Sequence, residues 1–253
     1  YGEGGNDTIL GSDGNDYAEG GDGDDVIGTS TYNATYLSVV ITAGTTLRGT
    51  DPFGLPTGNF EPGTDTLLGG SGADIVVGGS GDDYIDGGDG QNLLVGDFPS
   101  VQGAGGKDNI IGGADRDLIF VGGYTKFADD WYDNNVMGNA GDDYIVGADG
   151  GDGAEDVIYG GDGNDIIEGW AGDDGLFGGS GHDWISGGNN NDEIYGDGDI
   201  DTLWGDNAGG AYPLSPFSIG NADYCDGGDP STLPGDLLDD DCETKIGYED
   251  PFP

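Results

Sequence analysis

An acidic residue recurs at a fixed place in a nine-residue repeat that fills most of this 253-residue chain. The copy at Gly160–Glu168 reads Gly-Gly-Asp-Gly-Asn-Asp-Ile-Ile-Glu, which is the pattern G-G-x-G-x-D-x-U-x with U a large aliphatic residue. Sixteen copies follow this pattern. Their sixth-position residues are Asp7, Asp16, Asp25, Asp65, Asp74, Asp83, Asn92, Asp108, Asp117, Asp143, Asp156, Asp165, Asp174, Asp183, Asp192 and Asp201. A carboxylate at an unvarying distance from an aliphatic residue needs a cause beyond solubility, and a bound cation supplies one.

The glycines of the repeat favour calcium among the cations that carboxylates bind. Calcium takes six to eight oxygen ligands, both from carboxylates and from backbone carbonyls. Carbonyls point inward at one ion only where the chain curls tightly, and glycine accepts the positive φ angles that such a curl requires. Glycine occupies the first position in fifteen of the sixteen copies and the fourth position in twelve. Each repeat therefore predicts a loop that offers a carboxylate and several carbonyls to calcium.

The last three residues of each repeat, x-U-x, predict the short strand that positions this loop. Side chains alternate along a strand, so the eighth residue points inward while its two neighbours point outward. The eighth residue is apolar in all sixteen copies. Two repeats then complete one turn of a flattened coil, and the inward residues of successive turns form an aliphatic ladder. No turn buries its apolar face alone, so such a coil is stable only as a stack of turns.

The sequence resembles the RTX (repeats-in-toxin) family of secreted calcium-binding proteins over roughly residues 2–204, apart from insertions. The resemblance implies an all-β fold, a right-handed parallel β-roll or β-solenoid with two sheets, in which each ion lies between loops one turn apart. The earlier loop offers its second and fourth carbonyls, the later loop its first and third, and both offer their sixth-position side chains. Besides those side chains, the ligands then include Gly161, Gly163, Gly178, Ser180, Gly70, Gly72, Gly87 and Asp89, with up to about fourteen calcium ions in all.

The same resemblance implies that the sixth-position aspartates pair one turn apart. The expected pairs include Asp7 with Asp25, Asp65 with Asp83, Asp165 with Asp183, Asp174 with Asp192, and Asp183 with Asp201. These pairs assume that each insertion only lengthens one loop.

We expect two parts in the chain. The calcium-binding β-roll covers residues 1–204, with insertions at 29–59, 96–102, 121–137 and 147–150, and an acidic, proline-containing C-terminal segment at 205–253 caps it. Alternate counting of the loops puts the first three insertions at one edge of the roll and the shortest at the other. Aromatic residues in the first and third insertions could stack on a glycan or polysaccharide, or these loops could instead cover the roll. Asn33, in the first insertion, fits the N-glycosylation pattern.

The net charge of −46 constrains both folding and partners. Only five residues are Lys or Arg, which excludes nucleic acid as a direct partner because phosphate binding needs clustered basic residues. Neighbouring strands lie about 4.8 Å apart, so two stacked carboxylates repel each other by roughly 1–4 kcal/mol. We therefore expect the roll to need calcium for folding. Millimolar calcium is an extracellular condition, so a secreted or cell-surface protein is expected.

The two cysteines, Cys225 and Cys242, lie in the C-terminal segment with no histidine nearby to complete a zinc site. A disulfide that closes this segment is the favoured interpretation, and disulfides imply an oxidising compartment. No signal peptide, transmembrane run or starting Met is recognisable, so we expect a mature or excised piece of the natural protein.

We expect no enzyme, because the only histidine, His182, sits at a variable loop position and no catalytic motif is found. The favoured role is an extracellular structural protein that calcium makes rigid and that self-associates end to end into a filament. An outer sheet face with Ile75, Val77, Leu93 and Val95 is aliphatic, so it is either covered by the C-terminal segment or meets another molecule. The alternative role is an accessory calcium-dependent module, for folding, secretion or carbohydrate binding, of a larger secreted enzyme or toxin.

Overall fold

The described part of the chain forms two sheets of parallel strands. The computed structural model describes residues 1–10, 17–28, 64–79, 81–97, 106–122, 133–148, 155–206, 224–226, 237–238 and 244–246. An eleven-stranded sheet holds β1 (Glu3–Gly4), β3 (Tyr17–Asp22), β5 (Thr66–Ser71), β7 (Tyr84–Asp89), β9 (Asn109–Gly113), β11 (Asn135–Ala140), β13 (Val157–Asp162), β15 (Gly175–Ser180), β17 (Glu193–Gly198), β19 (Tyr224–Asp226) and β21 (Thr244–Ile246). A ten-stranded sheet holds β2 (Thr8–Leu10), β4 (Val26–Gly28), β6 (Ile75–Gly79), β8 (Leu93–Asp97), β10 (Leu118–Phe120), β12 (Tyr144–Val146), β14 (Ile166–Ala171), β16 (Trp184–Asn189), β18 (Thr202–Asp206) and β20 (Leu237–Leu238).

Consecutive strands alternate between the two sheets, and each strand pairs in parallel with the strand one turn away. The register keeps equivalent repeat positions opposite one another, as in the series Ile158, Leu176 and Ile194. This confirms the expected all-β roll for the described residues. No helix in these ranges is long and apolar enough to cross a membrane.

The eighth residues of the repeats form the core between the two sheets. Their side chains make one continuous cluster, in which Ala18 is the smallest member: Ala18, Ile27, Leu67, Val76, Ile85, Leu94, Ile110, Ile119, Val136, Ile145, Ile158, Ile167, Leu176, Ile185, Ile194 and Leu203. Burial of a large aliphatic side chain stabilises a fold by about 1.5–3 kcal/mol. The ladder therefore supplies the apolar stabilisation, but only where turns stack on both sides.

One repeat lies inside the insertion expected at 121–137, so that boundary is wrong. β11 begins at Asn135 and pairs with β9 and β13, and Val136 is fully buried in the core. Asn134 takes the sixth position of this additional repeat. The repeat escaped the sequence pattern because the five residues before Asn134, Asp-Asp-Trp-Tyr-Asp, contain no glycine.

The additional repeat shifts the alternate count of the loops, which changes where the insertions fall. All four insertions connect a strand of the ten-stranded sheet to the next strand of the eleven-stranded sheet: β4 to β5, β8 to β9, β10 to β11 and β12 to β13. The expectation that the shortest insertion lies at the opposite edge is therefore wrong. We call the edge that carries all four insertions the interrupted edge. The other, the continuous edge, joins each odd-numbered strand from β1 to β17 to the even-numbered strand that follows, through nine loops without an insertion.

The insertions that were expected at 96–102 and 147–150 also begin later in the chain than these ranges. Asp97 pairs with Gly79 as part of β8, and the Gly147 backbone N–H donates to the Glu168 carbonyl. A Cβ atom on Gly96 or Gly147 would contact the sixth-position carboxylate of the same loop, as it would at first positions elsewhere. Gly96 and Gly147 therefore hold the first loop position, and the chain leaves these loops only after their second position.

The outer face of the ten-stranded sheet is covered by the chain itself. Its aliphatic residues form a second buried cluster: Ile75, Val77, Leu93, Val95, Phe120 and Val146. Because they are buried within a single chain, this face is covered by the chain itself and does not need another molecule to bury it.

The outer face of the eleven-stranded sheet keeps an exposed strip of apolar residues. We call Met137, Tyr159, Phe177 and Tyr195, which are neighbours on β11, β13, β15 and β17, the aromatic strip. Met137 is 45% exposed and Tyr159 is 42% exposed. The Tyr159 and Phe177 rings stack with centroids 4.6 Å apart, and the Phe177 and Tyr195 rings stack at 5.0 Å. The stacked rings cover each other's faces and turn their edges outward.

The two sheets continue beyond residue 204, so the expected domain boundary there is not a boundary of the roll. β19 pairs with β17 and β21, and β20 pairs with β18. Cys225 follows Ile194 in register, is fully buried and is not a free thiol. Its expected partner Cys242 lies outside the described residues, as does Asn33, so the disulfide and the glycosylation stay predictions.

Two glycine substitutions test how closely the turns stack. Gly161 has a φ of +118°, and a Cβ there would overlap the Asn139 carbonyl oxygen of the preceding turn. Gly161→Ala should therefore lower the free energy of unfolding by about 2–3 kcal/mol. Gly175, on the same strand stack, would place a Cβ 3.6 Å from the Phe177 ring, an ordinary contact. Gly175→Ala should change stability by less than about 1 kcal/mol. Urea unfolding of both variants in saturating calcium measures the difference, and equal losses would contradict the stacking.

Candidate metal centre

The sixth-position side chains stack into two ladders, one at each edge of the roll. In each ladder one side-chain oxygen, Oδ1, accepts the backbone N–H of the sixth-position residue one turn earlier. The Asp165 N–H, for example, donates to Asp183 Oδ1 at 2.8 Å, and the Asp183 N–H donates to Asp201 Oδ1 at 2.9 Å. The continuous-edge ladder is Asp7, Asp25, Asp74, Asn92, Asp117, Asp143, Asp165, Asp183 and Asp201. The interrupted-edge ladder is Asp65, Asp83, Asp108, Asn134, Asp156, Asp174 and Asp192.

The second carboxylate oxygen, Oδ2, accepts no hydrogen bond in many of these residues although it is buried. This holds within the described part of the chain for Asp7, Asp25, Asp74, Asp83, Asp117, Asp143, Asp165, Asp174 and Asp183. A buried polar atom without a partner costs about 1–3 kcal/mol, and more when it carries charge. The repetition of this cost along the ladders indicates that the folded roll is built for a ligand that these oxygens hold.

Each such oxygen faces a space beside the first-position glycine of its own loop. A Cβ atom on Gly160 would fall against Asp165 Oδ2 and lie 2.7 Å from the carbonyl oxygen of Gly178, one turn later. At Gly78 the equivalent atom would meet Asp83 Oδ2 and lie 2.8 Å from the Gly96 carbonyl oxygen. The space is therefore a cradle lined by a carboxylate oxygen and a carbonyl oxygen, and a side chain at the first position would fill it.

Second- and fourth-position carbonyls of one loop approach the loop one turn later. A Cβ on Gly88 would overlap the Gly70 carbonyl oxygen, and one on Gly90 would overlap that of Gly72. The structure thus brings together Gly70 and Gly72 with the later loop that holds Gly87 and Asp89. It brings together the predicted residues Gly161 and Gly163 with Gly178 and Ser180 in the same way.

The third-position carbonyls have a further role that the sequence did not indicate. The Asp89 carbonyl accepts the Gly72 N–H at 2.9 Å, and the Ser180 carbonyl accepts the Gly163 N–H at 2.8 Å. Each therefore helps to hold the two loops together whether or not it also binds an ion.

The donor atoms around each cradle fit calcium. They are all oxygens, as a hard divalent cation prefers, and they come from backbone carbonyls as well as from carboxylates. No group of three or more Asp, Glu, His or Cys side chains that could hold a metal occurs in the described ranges. Backbone carbonyls line each cradle beside the carboxylate, so they can supply further ligands to an ion between two loops.

Burial raises the pKa of the ladder carboxyls in the absence of a cation. It raises the pKa of Asp83, Asp117 and Asp165 to about 7 and that of Asp74 and Asp183 to about 6. The backbone N–H that each Oδ1 accepts opposes this shift, while other carboxylates add to it. A charged ladder is therefore unfavourable without positive charge from outside the chain.

One loop of the interrupted edge differs, because the protein itself satisfies its carboxylate. The Ala148 N–H donates to Asp156 Oδ2 at 2.9 Å, and the Asn134 backbone and side-chain N–H groups donate to Asp156 Oδ1 at 3.0 and 2.9 Å. This loop contains the insertion after Ala148. The need for a cation is thus weaker here than at the uninterrupted loops.

A third ladder, at the fifth position of the loops, was not recognised in the sequence. The Asn164 N–H donates to Asp142 Oδ1 at 2.8 Å, and the His182 N–H donates to Asn164 Oδ1 at 3.0 Å. His182 Nδ1 lies 3.0 Å from the Ile200 carbonyl oxygen and 3.2 Å from the Ile200 backbone nitrogen, so its tautomer decides whether it donates to the first or accepts from the second. The hydrogen bonds from Asn164 lower the pKa of Asp142. The available signal in the sequence was the frequency of Asp and Asn at this position. His182 takes part in this ladder through its backbone N–H and its ring.

Most of the predicted ligands occupy equivalent places in the loops. Asp16 lies outside the described residues. The residue after it, Tyr17, pairs with Thr66, which is the residue after Asp65, so the strands that follow these two positions are in register. Asn134 belongs to the ladder but was missed.

Comparison with known families agrees with this geometry. The chain matches the family described as RTX calcium-binding nonapeptide repeat (4 copies) over residues 1–29, 61–94, 100–123, 130–153, 150–185 and 176–203. The match over 130–153 includes the additional repeat around Asn134. No curated protein matches the chain.

The raised pKa values predict that acid stabilises the calcium-free roll. Asp74, Asp83, Asp117, Asp165 and Asp183 have a higher pKa in the roll than the ordinary 3.8, so the folded state binds more protons. Stability without calcium should be greatest below pH about 4 and should fall as the pH rises to about 7. Far-UV circular dichroism of the calcium-free protein between pH 4 and 8 measures this. A β-signal that strengthens with rising pH would contradict it.

Proposed function

Because the chain belongs to the family of RTX calcium-binding nonapeptide repeats, we propose that it is a non-enzymatic, extracellular structural protein whose β-roll becomes a rigid rod when calcium binds. The observation that carries this proposal is the series of buried Oδ2 atoms without hydrogen bonds along both ladders. Calcium satisfies these oxygens and also offsets the charge of the chain.

The dependence on calcium suits an extracellular site. The net charge is −46, and the buried ladder carboxyls resist ionisation in the calcium-free roll. Calcium-binding modules of extracellular proteins work at dissociation constants of about 10⁻⁴–10⁻³ M, far above cytosolic calcium. A roll that orders only at such concentrations remains unfolded until export and folds outside the cell.

A disulfide between Cys225 and Cys242 is part of the same proposal. Cys225 is buried on β19 and is not a free thiol. These are the two cysteines of the chain, and structural disulfides persist in oxidising compartments. The link would join β19 to the chain just before β21.

End-to-end self-association into a filament is the assembly that we propose for this structural role. The aliphatic face of the ten-stranded sheet gives it no support, because the chain already covers that face. The aromatic strip is an apolar surface on the outer face of the eleven-stranded sheet, where Met137 and Tyr159 stay exposed. It lies along the side of the roll, so it would join copies side by side. Association through the strip is therefore the competing arrangement in a test.

Glycan binding through the insertions also stays a proposal, because those residues lie outside the described ranges. The aromatic strip is poorly suited to binding sugars by stacking. Sugar rings stack on the faces of aromatic rings, whereas the faces of Phe177 are covered by Tyr159 and Tyr195.

The alternative function is an accessory calcium-dependent module of a larger secreted enzyme or toxin. One observation favours it: β19, β20 and β21 continue both sheets although their sequence lacks the repeat. A flanking domain could continue the sheets in the same way. The intact mass of the native protein discriminates, because a polypeptide of about 25.6 kDa favours the structural role and a longer one favours the module.

Removal of calcium should unfold the roll. Chelation leaves the buried carboxylates without a counter-charge, so the far-UV circular dichroism spectrum should change from β to coil and recover after calcium is restored. Magnesium at the same concentration should not restore it, because Mg²⁺ demands small octahedral sites and dehydrates reluctantly. A native spectrum that survives exhaustive chelation would overturn the proposal.

Self-association should depend on calcium. Sedimentation velocity in millimolar calcium should show species larger than the 25.6 kDa monomer, and chelation should remove them. Tyr159→Ser, on the aromatic strip, is the control and should leave end-to-end association unchanged. Loss of association in this variant would move the interface to the strip. Monomers at all concentrations would reject the filament and favour the accessory module.

A further inference from the structure

One residue of the continuous-edge ladder is an amide rather than a carboxylate. Asn92 ends the loop Gly87–Asn92, which stacks on the loop Gly112–Asp117 one turn later. Asn92 Oδ1 accepts the Asp74 backbone N–H at 3.0 Å, as the aspartates do. Only the amide oxygen can accept this bond, so the bond fixes the orientation of the side chain. The amide nitrogen, Nδ2, therefore stands where the other loops have Oδ2.

The Nδ2 atom occupies the cradle and is satisfied there. A Cβ on Gly87 would lie 2.7 Å from Asn92 Nδ2 and 2.6 Å from the Gly112 carbonyl oxygen, which are the two walls of the cradle. Nδ2 donates to the Gly90 carbonyl at 3.0 Å. Gly90 holds the fourth position of its loop, whose carbonyl is one of the oxygens that face the next loop. The amide thus brings N–H donors to the place of a cation and uses one of the cation's ligands.

The facing loop also brings a positive charge to this contact. Arg116 precedes Asp117 in that loop. On the interrupted edge Asn134 is likewise an amide, whose Oδ1 accepts the Asp108 N–H at 2.8 Å. The middle of the roll therefore combines two amides and a basic residue at places where other turns have carboxylates.

We propose that the Asn92 amide closes the contact between loops Gly87–Asn92 and Gly112–Asp117 without calcium. The ions of the continuous edge then form two separate blocks. One block lies between the loops from Asp7 to Asn92, and the other lies between the loops from Asp117 to Asp201. This inference rests on calcium binding by the remaining loops.

The number of bound ions tests the proposal directly. Native mass spectrometry of the full chain in calcium counts the ions in the wild type, in Asn92→Asp and in Asp74→Asn. Asn92→Asp restores the second oxygen and should add one ion to the wild-type number. Asp74→Asn, the matched change one turn earlier on the same edge, should remove one ion. An unchanged count in Asn92→Asp would overturn the proposal.

A second measurement uses the wild type alone, so it does not depend on folding of the variants. Anomalous diffraction from crystals grown in calcium locates each ion between its loops. Ions on both sides of the Asn92 contact with none in it support the proposal, and an ion in that contact overturns it. A wild-type protein that binds no calcium at all would instead defeat the proposed function.

Discussion

The structure depends on a carboxylate that is held by one oxygen and left unsatisfied at the other. The sixth-position Oδ1 accepts a backbone N–H from the preceding turn, which buries the side chain between two loops. Burial then removes Oδ2 from water without giving it a protein partner. The same hydrogen bond that aligns the turns thus creates the demand for a cation. If calcium meets this demand, as we propose, folding and metal binding form one equilibrium rather than two successive steps.

The glycines follow from the same stacking. Turns one strand spacing apart leave no room between loops, so the second- and fourth-position residues meet the carbonyl oxygens of the previous turn. Glycine is favoured there but not obligatory, because six described residues with side chains adopt the same positive φ and the ladder continues past them: Glu3, Asn139, Trp170, Asn190, Asp197 and Asp199. The first-position glycine has a different reason, since its missing side chain is the volume of the cradle. The high glycine content therefore follows from the requirements of particular loop positions, and it does not require a general preference for flexible residues.

The period of the sequence predicted the strands, the aliphatic core and the ladder, because each depends only on which residues recur. It failed where a turn keeps its geometry without its glycines. The repeat that contains Asn134 retains its amide and its buried Val136 but has no glycine in the five residues before Asn134. That single omission reversed the alternate count and misplaced one insertion. The repeat pattern showed that the outer face with Ile75 and Leu93 is aliphatic, but it left open whether the chain itself or another molecule buries them.

The placement of all four insertions at one edge has a physical reason. An insertion after the second position separates the second carbonyl of a loop from the fourth, so the loop can no longer curl around one ion. At the interrupted loop that ends at Asp156, hydrogen bonds take the place of an ion, because Ala148 and Asn134 donate to the Asp156 carboxylate. The continuous edge has no such interruption in its nine loops. Calcium-dependent order can therefore rest on one edge while the other edge varies in sequence and length, which separates the residues that fold the roll from those free to acquire a partner.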